Sequence, residues 1–500
     1  MVAGSNIAAV LDQGAGDHPA LVVPDRASLS YARLREVTFE AAEALASIGV
    51  GGGERVALVY PNGPEAIVLF LAASMVATAC PLNPAYKEDE FRFYLADVGA
   101  RFLVVPPGEG EAARRAVPHG ASVVEASLDG DGRLHVTGWK GGRRLEPREA
   151  SRGGDVGLVL HTSGTTSRPK RVPLRHDNLA ASVANIIATY ELGPDDVSLC
   201  VMPLFHVHGL LASALATLAS GGTVVVPDRF TPLGFWPLMQ AHRPTWFTAS
   251  PTPHQLVLAR LQKDRPAGTE RLRFVRSCSS ALSPAQMALM EQRYGVPVLE
   301  AYGMTEASHQ MASNPLPPEP RLSGSVGRGT GVDIAVFDEG GAPVPHGVSG
   351  EVVIRGPNVM HGYEDNPGAN ASAFCDGWFR TGDVGTLDSA GYLRLIGRIK
   401  ELINRGGEKI APREIDEVLE AHPAVKEAVA FGVPHPTWGE EVAAAVVLST
   451  PAGEKELLAY ARERLADFKV PRRLYIVDAI PRTPTGKVQR RFVADQLIDR

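Results

Sequence analysis

Short apolar runs, separated by amphipathic stretches, are the dominant pattern of this chain. A continuous apolar run bounded by turn residues is typical of a strand buried on both faces, whereas apolar positions three and four residues apart predict a helix. The predicted strands include Val56–Tyr60, Phe102–Val105, Gly157–Leu160, Thr223–Val226 and Ile334–Phe337, and the predicted helices include Tyr31–Ile48 and Pro64–Ala77. Alternation of strands with helices predicts α/β layers.

The C-terminal part of the chain has a pattern of its own. It predicts strands at Gly350–Arg355 and Tyr392–Ile396, then the helix Ala411–Ala421, the strands Ala428–Val433 and Ala443–Leu448, and the helix Glu454–Leu465. Because 500 residues exceed one ordinary domain, we expect a large multi-layered α/β domain over 1–396, a boundary at 397–400 and a small α+β domain over 401–500. The Gly-, Arg- and Glu-rich segment Gly130–Gly153 is interpreted as a polar connection inside the larger domain.

Composition and charge exclude several classes of protein. Apolar residues make up 44% and charged residues 21% of the chain, as in a soluble globular protein. A net charge of −6 without a long basic block gives no electrostatic support for a nucleic-acid partner. The four cysteines are scattered, so neither a structural zinc site nor a disulfide framework is indicated. Met1–Gly16 lacks a secretory signal and the apolar stretches are too short to span a bilayer, so we expect a cytoplasmic enzyme of unassigned oligomeric state, without membrane insertion.

The most informative polar segment runs from His161 to Lys170, with the sequence His-Thr-Ser-Gly-Thr-Thr-Ser-Arg-Pro-Lys. Hydroxyls, backbone N–H groups and a cation suit phosphate oxygens, and Gly164 lets the backbone approach such a ligand closely. The spacing is not that of a Walker A loop. Composition alone leaves a polar surface turn as the alternative.

The order of residues in this loop resembles the phosphate-binding loop of the adenylate-forming superfamily, which comprises acyl-CoA synthetases, carrier-loading adenylation domains and luciferases. Further segments match motifs of that superfamily in the same order: Leu204–Gly209, Tyr302–Glu306, Thr381–Asp383, Gly397–Glu401 and Pro484–Lys487. One such match is weak evidence, but the ordered set is highly specific. The resemblance extends from about Leu29 onward and implies a two-step ligase that uses ATP, Mg²⁺ and CoA.

The resemblance implies a nucleotide site assembled from several segments. The implied cofactor-binding residues are Thr162, Ser163, Gly164, Thr165, Thr166, Lys170, Ser279, Ser280, Ala281, Glu300, Ala301, Tyr302, Asp383, Arg398, Lys400, Gly406 and Gly407. Tyr302 would lie on adenine, since a flat ring buries a purine face. Asp383, assisted by Arg398, would accept hydrogen bonds from the ribose hydroxyls.

The residues implied to be catalytic are Lys487, Thr305, Glu306 and His206. Glu306 would hold Mg²⁺, which prefers hard oxygen ligands, and Thr305 would meet the α-phosphate. Lys487 would contact the acid and the α-phosphate, because a carboxylate attacking phosphorus needs a cation nearby. Taken alone, Glu306 is also a charged residue at a helix start and Lys487 a solvated loop lysine.

A second step, in which a thiol attacks the acyl adenylate, requires different groups at the same site. In the superfamily the C-terminal domain rotates about a hinge that matches Lys400. Gly406 and Gly407 resemble the segment that then lines the pantetheine tunnel, where glycine permits close backbone approach. Without the resemblance these glycines read as a plain loop.

Among the branches of the superfamily the chain resembles the small-diacid enzymes, and oxalate–CoA ligases most closely. The supporting segments are Thr165–Lys170, Arg276–Ser280, Glu306–His309, Ser313–Pro317 and Ile399–Ile410. Oxalate carries a second carboxylate beside the reacting one, so its pocket must be short, polar and preferably cationic.

Histidines are the candidate partners of that second carboxylate. His309 is the preferred contact and His206 the second, with Ser280 from the adenine turn; His208 and His254 are further candidates. Taken singly, each histidine is interpreted more readily as a hydrogen-bonded core residue. A short- or medium-chain fatty acid and malonate stay open as alternative substrates.

Arg171 stands where the superfamily nearly always has glycine. If the position needs a positive φ, arginine adds strain of about 1 kcal/mol; if not, it adds a charge near the polyphosphate. We expect Arg171→Gly to leave activity equal or higher. The departure also raises the alternative hypothesis of a non-catalytic nucleotide-binding protein. The retention of Glu306, Asp383 and Lys487 argues against it. A free-standing loader of carrier proteins is a further rival.

Overall fold

The computed structural model describes residues 6–137, 139, 151–162, 169–261, 265–482 and 488–498. Its α-helices are Tyr31–Ser47 (α1), Pro64–Val76 (α2), Glu88–Asp97 (α3), Glu111–Arg115 (α4), His176–Tyr190 (α5), Ala216–Ala219 (α6), Phe235–His242 (α7), Pro251–Leu258 (α8), Pro284–Tyr294 (α9), Pro367–Ala373 (α10), Pro412–Glu420 (α11), Glu454–Arg462 (α12) and Arg490–Ile498 (α13). Short 3₁₀ turns occur at Ile7–Gln13, Thr305–Ala307, Ile399–Glu401 and Asp467–Lys469, and a π-helical segment, His208–Leu215, leads into α6.

The strands, in chain order, are Pro19–Val22 (β1), Leu29–Ser30 (β2), Arg55–Leu58 (β3), Thr78–Pro81 (β4), Phe102–Val105 (β5), Ser122–Leu128 (β6), Leu134–Val136 (β7), Val156–His161 (β8), Arg171–Arg175 (β9), Val197–Cys200 (β10), Thr223–Val225 (β11), Trp246–Ala249 (β12), Phe274–Ser277 (β13), Val298–Met304 (β14), His309–Ser313 (β15), Arg328–Gly329 (β16), Asp333–Phe337 (β17), Gly350–Arg355 (β18), Phe374–Cys375 (β19), Trp378–Leu387 (β20), Leu393–Arg398 (β21), Ile403–Arg405 (β22), Glu408–Ile410 (β23), Val425–His435 (β24), Gly439–Leu448 (β25) and Arg473–Ile476 (β26).

Two large sheets form the centre of the N-terminal part. One has the order β7-β6-β5-β3-β4-β8-β9 and the other β16-β15-β14-β13-β12-β10-β11-β1-β2. Their central strands are parallel, and antiparallel pairs occur toward the edges: β6–β7 and β8–β9 in the first sheet, and β14–β15, β15–β16 and β1–β2 in the second. Parallel strands are covered on both faces by helices, which explains their continuous apolar runs. A third sheet, β17-β18-β20-β19 with β21 on β20, precedes the C-terminal part.

The helices α1 and α2 show how local sequence sets these layers. The Ser30 side chain accepts a hydrogen bond from the backbone N–H of Arg33 at 3.3 Å and caps the start of α1. Pro64 occupies the first turn of α2, where its missing N–H costs nothing. The main buried core joins these helices to strands of both large sheets through residues such as Leu71 and Val224.

The C-terminal part forms its own small layer structure. Its sheet has the order β23-β22-β25-β24, with β26 parallel to β25. Alternate residues of β24 enter two different cores: Ala430 packs with α11 and α12, whereas Phe431 packs with α13. Both faces of the sheet are therefore covered. The predicted α/β fold, with a large N-terminal and a smaller C-terminal domain, is confirmed.

The predicted elements agree with the observed ones except in one segment. Strand β5 matches its prediction residue for residue, and α2 ends one residue before the predicted Ala77, whose backbone is extended. The interpretation of Gly130–Gly153 as a polar connection alone was wrong, because Leu134–Val136 pairs with β6 as an edge strand. Two apolar residues around one histidine are too short a pattern to stand out in a charged segment. Within the described residues, none of the helices combines the length and apolarity that crossing a bilayer requires.

Candidate active site

A cavity of about 310 Å³ lies between the N-terminal sheets and the C-terminal part. From the N-terminal part it is lined by residues that include Ser279, Ser280, Ala281, Glu300, Ala301, Tyr302, Gly303, Asp383 and Arg398. From the C-terminal part come Arg413, Asp416, Glu417, Glu420, Arg482, Val488 and Arg490. Eight of the residues predicted from the sequence to bind nucleotide thus share one cavity wall.

Direct contacts hold the two parts together around this cavity. The Arg482 side chain donates to Thr252 Oγ1 at 2.9 Å, and Arg413 Nη1 donates to the Leu395 carbonyl at 3.1 Å. Both arginines belong to the C-terminal part and both acceptors to the N-terminal part. The C-terminal part therefore forms one side of the cavity.

Tyr302, Asp383 and Arg398 form a compact group on the wall of the cavity. Tyr302 is buried in β14, and its hydroxyl donates to Asp383 Oδ2 in a short hydrogen bond. Arg398 Nε lies 3.0 Å from Asp383 Oδ1, because β20 and β21 pair these two residues directly. Each carboxylate oxygen can accept a second hydrogen bond. The group therefore retains acceptors for a diol beside an aromatic ring.

The turn after β13 and the end of β14 meet at Glu300. Glu300 is buried; its Oε1 accepts a hydrogen bond from the Leu282 backbone N–H at 3.0 Å, while Oε2 has no hydrogen-bond partner within the described residues. Burial raises the pKa of Glu300 to about 7, and the charge of Arg413 partly opposes the rise. An ionised Glu300 would lie near Glu417 on α11, a like charge that also raises its pKa.

We expect Glu300→Gln to stabilise the protein at alkaline pH. Between the ordinary carboxyl pKa of 4.5 and about 7, the folded state binds a proton that the unfolded state has lost, so stability falls as pH rises through this window. The full penalty, up to about 3 kcal/mol, applies above pH 7. Thermal unfolding of both proteins from pH 5 to pH 8.5 should show a Tm difference that grows with pH and then levels off. A difference that does not vary with pH would contradict the assignment.

A second group surrounds Glu306, which begins the segment between β14 and β15. The short 3₁₀ turn Thr305–Ala307 buries the side chains of Thr305 and Glu306. Tyr363 donates its hydroxyl proton to Glu306 Oε1 at 2.8 Å, and a carboxylate has lone pairs for further partners. Burial raises the pKa of Glu306. A buried carboxylate with a remaining acceptor fits a cation.

Lys170 and Lys400 bring positive charge to the same place. The Lys170 ammonium lies 4.2 Å from the Tyr363 ring centroid. Burial and the nearby charge of Lys400 lower the pKa of Lys170, and Glu306 opposes this effect. The two lysines repel each other beside a carboxylate. A polyphosphate with its metal ion would relieve this repulsion.

The two ends of the predicted phosphate-binding loop, Thr162 and Lys170, bond to each other. The Thr162 backbone N–H donates to the Lys170 carbonyl at 3.0 Å, and the Lys170 N–H donates to Thr162 Oγ1 at 3.4 Å. The predicted residues Ser163, Gly164, Thr165, Thr166 and Lys487 lie outside the described residues. Val488, which follows Lys487 in the chain, lines the cavity.

The histidines predicted to meet the acid fall into different environments. His309 and His208 are fully buried, and their rings stack with centroids 4.9 Å apart. His206 is half-buried and its Nδ1 accepts a weak hydrogen bond from the His208 N–H at 3.4 Å. His254 is a core histidine, bonded through Nε2 to the Arg276 carbonyl at 3.2 Å; burial lowers its pKa to about 4.

Arg276 connects the two stacked histidines. This arginine is 0% exposed in the middle of β13. Its Nη2 donates to His309 Nε2 at 3.2 Å and its Nη1 approaches His208 Nε2 at 3.4 Å. Ser279, on the cavity wall, lies 2.9 Å from His208 Nδ1. The cluster therefore extends from the buried sheet to the cavity.

Gly406 and Gly407 form the turn of the hairpin between β22 and β23. Both have positive φ, +60° and +95°, as the central residues of a two-residue hairpin turn require. A Cβ on Gly406 would lie 2.7 Å from the Trp438 ring. The described cavity wall does not include this hairpin, so its predicted contact with pantetheine stays a prediction.

Comparison with known proteins places this geometry in a family. The sequence pattern described as AMP-binding enzyme matches residues 9–364, and the one described as AMP-binding enzyme C-terminal domain matches residues 414–487. The chain belongs to the AMP-binding enzyme family. This AMP-binding enzyme is 45% identical to an oxalate–CoA ligase of Arabidopsis thaliana over 97% of its own length and 96% of the relative. It is 38% identical to a sulfoacetate–CoA ligase of Cupriavidus necator, over 95% and 94% of the two chains.

A solved structure gives the same assignment. The ATP-bound MatB from Rhodopseudomonas palustris superimposes with a TM-score of 0.90 at 32% identity, and the match covers 99% of both chains. The prediction of an adenylate-forming acyl-CoA synthetase, similar to oxalate–CoA ligases, is confirmed. The roles predicted for individual residues stay predictions.

Arg171 of this AMP-binding enzyme is neither strained nor directed at a nucleotide site. It opens β9 with a negative φ, so the expected strain does not arise. Its guanidinium contacts Asp97 at 3.2 Å, Glu364 at 2.8 Å and Asp365 at 2.5 Å. The carboxylates neutralise its charge, which removes the reason to regard the chain as non-catalytic.

We expect Arg171→Gly to cost stability while activity per folded molecule stays equal or higher. The change removes Arg171 from the half-buried Asp97 and Glu364, which keep only His161 and Arg55 as partners, and inserts glycine into a strand. The two effects together should lower the free energy of unfolding by about 1–3 kcal/mol. Chemical denaturation measures the change in stability, and the KM for ATP measures the effect on nucleotide binding. A variant with unchanged stability but much weaker ATP binding would contradict the contacts described.

Proposed function

We propose that this enzyme is an ATP-dependent oxalate–CoA ligase. One oxalate oxygen attacks the α-phosphorus of ATP, the bond to pyrophosphate breaks, and oxalyl adenylate forms. The CoA thiol then loses its proton and attacks the oxalyl carbonyl, and AMP leaves as the thioester forms. CoA ligation with ATP is common to the acyl-CoA synthetases; the choice of oxalate is the specific part of the proposal.

The observation that carries this choice is the polar end of the site. Behind Gly303 and Ser279, which line the cavity, lie the buried side chains of His309 and His208, both bonded to Arg276. A second carboxylate directly beside the reacting one needs hydrogen-bond donors and positive charge at short range. The buried stacked histidines provide the donors, and the guanidinium provides the charge.

The alternative substrates fit this wall less well. A short- or medium-chain fatty acid needs apolar surface, whereas His208, Arg276 and Gln310 occupy the space behind His309. Malonate has the right charge but is longer by one methylene. Relatives of this chain are named for oxalate and for sulfoacetate. Both are small acids with a second anionic group, which supports a substrate of that kind.

Nucleotide binding is proposed for the residues that converge on the cavity. Tyr302 would lie on adenine between the Ser279–Ala281 turn and the Glu300–Ala301 segment, and Asp383 with Arg398 would bind the ribose. Thr305 and the 162–170 loop, with Lys170, would contact the phosphates, which the repulsion between Lys170 and Lys400 favours.

Glu306 is the proposed ligand for Mg²⁺. Its buried carboxylate keeps an acceptor beside the hydrogen bond from Tyr363, which fits a hard cation that takes one or two carboxylates and bridges phosphates. Bound there, Mg²⁺ would neutralise charge on the phosphates. Tyr363 fixes the carboxylate that holds it.

The C-terminal domain is proposed to serve both steps in turn. Lys487 would enter the site for adenylation, accompanied by His206 on the acid side. Rotation about Lys400, in the 397–400 hinge, would then replace Lys487 by the Gly406–Gly407 hairpin as the surface that meets CoA. The few contacts across the cavity, such as Arg482 with Thr252, are hydrogen bonds that such a rotation can break.

A panel of acids tests the proposal. Oxalate, malonate, acetate, hexanoate and benzoate are scored for AMP release with ATP, Mg²⁺ and free CoA present. We expect oxalate to have the highest kcat/KM. A preference for hexanoate would remove the diacid assignment and keep the enzyme class. Acid-dependent pyrophosphate–ATP exchange without turnover on free CoA would instead indicate a carrier-protein loader. If no acid supports the exchange, the protein is non-catalytic.

A further inference from the structure

Arg276 is a buried cation without a carboxylate partner in the described part of the chain. Its Nε donates to Tyr190 Oη at 2.7 Å, Nη1 to Thr248 Oγ1 at 2.9 Å, and Nη2 to Gln310 Oε1 at 3.1 Å, in addition to the histidine contacts. All of these acceptors are neutral. Arg273, three residues earlier, is instead paired with Asp196 at 2.7 Å.

An unpaired buried charge is costly, so its retention points to a counter-charge that arrives with a ligand. Among the described residues that contact Arg276, none takes that place, because the tyrosine, threonine, glutamine and histidine side chains carry no negative charge. Burial and the charge of Arg276 hold the pKa of both His208 and His309 well below the usual range. The cluster thus carries one positive charge, located on the guanidinium.

The guanidinium also decides where the proton of His309 resides. Since Arg276 donates to Nε2, the neutral ring must carry its proton on Nδ1. Nδ1 faces Gly303, where an added Cβ would come within 3.1 Å of it, and Gly303 lines the cavity. His309 therefore presents an N–H donor on the cavity side.

A parallel chain of hydrogen bonds runs through His208. Arg276 Nη1, which can only donate, lies 3.4 Å from His208 Nε2, so this nitrogen is an acceptor. Thr248 Oγ1, which accepts from Arg276 and lies 2.6 Å from the same nitrogen, therefore donates its hydroxyl proton to it. The His208 proton then resides on Nδ1 and is donated to Ser279 Oγ at 2.9 Å. Ser279, exposed on the cavity wall, is left to donate outward.

The two residues that end these chains have unusual backbones. Ser279 has φ +75° and His309 has φ +96°, a region that costs non-glycine residues about 1–3 kcal/mol and that clusters at functional sites.

We infer that Arg276 is a positioning residue for the second carboxylate of the substrate: it orients His309 and, through Thr248 and His208, Ser279 as donors toward the cavity, and its charge is balanced by the bound dianion. The inference rests on the proposed function, since it requires a substrate with a second anionic group. It goes beyond that proposal by naming the source of the charge and the direction of each proton.

Oxalate and oxamate separate charge from shape in the test. Oxamate replaces the second carboxylate by an amide of nearly the same size, so it tests the donors without the charge. We expect Arg276→Gln to lower kcat/KM for oxalate by about 100-fold and for oxamate by less than about tenfold, chiefly through KM. Arg276→Lys, which keeps the charge, should recover part of the oxalate preference.

Thr248→Val provides a second variant that leaves Arg276 in place, so the test does not depend on the folding of Arg276→Gln. It interrupts only the His208 branch and should lower the oxalate-to-oxamate ratio by about three- to tenfold. Arg273→Gln, which removes a paired arginine near the same strand, is the matched control and should leave the ratio unchanged.

The outcomes distinguish this inference from the proposed function. The wild-type enzyme could prefer oxalate to oxamate while folded Arg276→Gln and Thr248→Val variants keep the same preference. That result would overturn the inference about Arg276 and leave the proposed function standing. A wild-type enzyme that does not use oxalate would overturn the proposed function. Equal losses for both substrates in Arg276→Gln, with a lowered Tm, would assign Arg276 a structural role and likewise overturn the inference.

Discussion

Replacement of Lys487 by alanine is expected to slow acid-dependent adenylation by about 10²–10³-fold. In the proposed first step a carboxylate approaches a phosphorus that negative oxygens already surround, and the Lys487 ammonium group would offset that charge. In the second step a thiol attacks a carbonyl, and the ammonium is no longer needed there. Thioester formation from supplied acyl adenylate and CoA should therefore change by less than about threefold.

Lys455→Ala is the matched control for Lys487→Ala. Lys455 is an exposed lysine on α12 of the same domain, so its removal reproduces the change in charge without touching the cavity. Pyrophosphate–ATP exchange measures the first step, and a quenched assay of acyl-CoA measures the second. Equal losses in both steps would contradict two alternating positions of the C-terminal domain.

The layers of the fold were predictable because their signals are local. Strand Phe102–Val105 and helix Pro64–Ala77 were predicted from the spacing of apolar residues, which depends on neighbouring residues only, and the observed bounds differ by at most one residue. Strand Leu134–Val136 was missed because its pairing with β6 lies outside such a pattern. An edge strand is specified by its partner more than by its own sequence.

The candidate site was predictable in its motifs but not in its supporting contacts. Tyr363 holds Glu306 from a segment 57 residues away, and no motif joins the two. Arg276 carried a visible signal, since a charged residue inside the apolar run Phe274–Ser277 is unusual. That signal indicates that the buried arginine has polar partners, but it does not identify them.

The histidines illustrate the difference between residue type and orientation. Sequence alone gave several histidines as donors for the second carboxylate. The structure separates His309, whose ring is fixed by Arg276, from His254, which bonds a strand carbonyl in the core. This separation depends on a positive φ at His309 and on contacts between distant strands, neither of which a linear pattern encodes.

Glu306→Gln is expected to lower kcat/KM for ATP by at least about 100-fold. The substitution preserves size and keeps an acceptor for the Tyr363 hydroxyl, so the 3₁₀ turn at Thr305–Ala307 should fold unchanged. What it removes is the negative charge that a hard cation requires. The loss should therefore depend on Mg²⁺: raising its concentration should recover part of the activity of the variant, with little effect on the wild-type enzyme.

Binding of AMP without metal separates this effect from damage to the pocket. AMP is proposed to bind in the cavity around Tyr302 and Asp383 and needs no Mg²⁺ for its single phosphate, so its Kd should differ by less than about threefold between Glu306→Gln and wild type. Tyr363→Phe keeps the carboxylate but loses its hydrogen bond and should cost about tenfold in apparent Mg²⁺ affinity. Glu463→Gln, at an exposed carboxylate, should change nothing. If Glu306→Gln weakened AMP and ATP binding alike, with no change in Mg²⁺ dependence, Glu306 would be a structural residue of the turn and the metal would have to bind elsewhere.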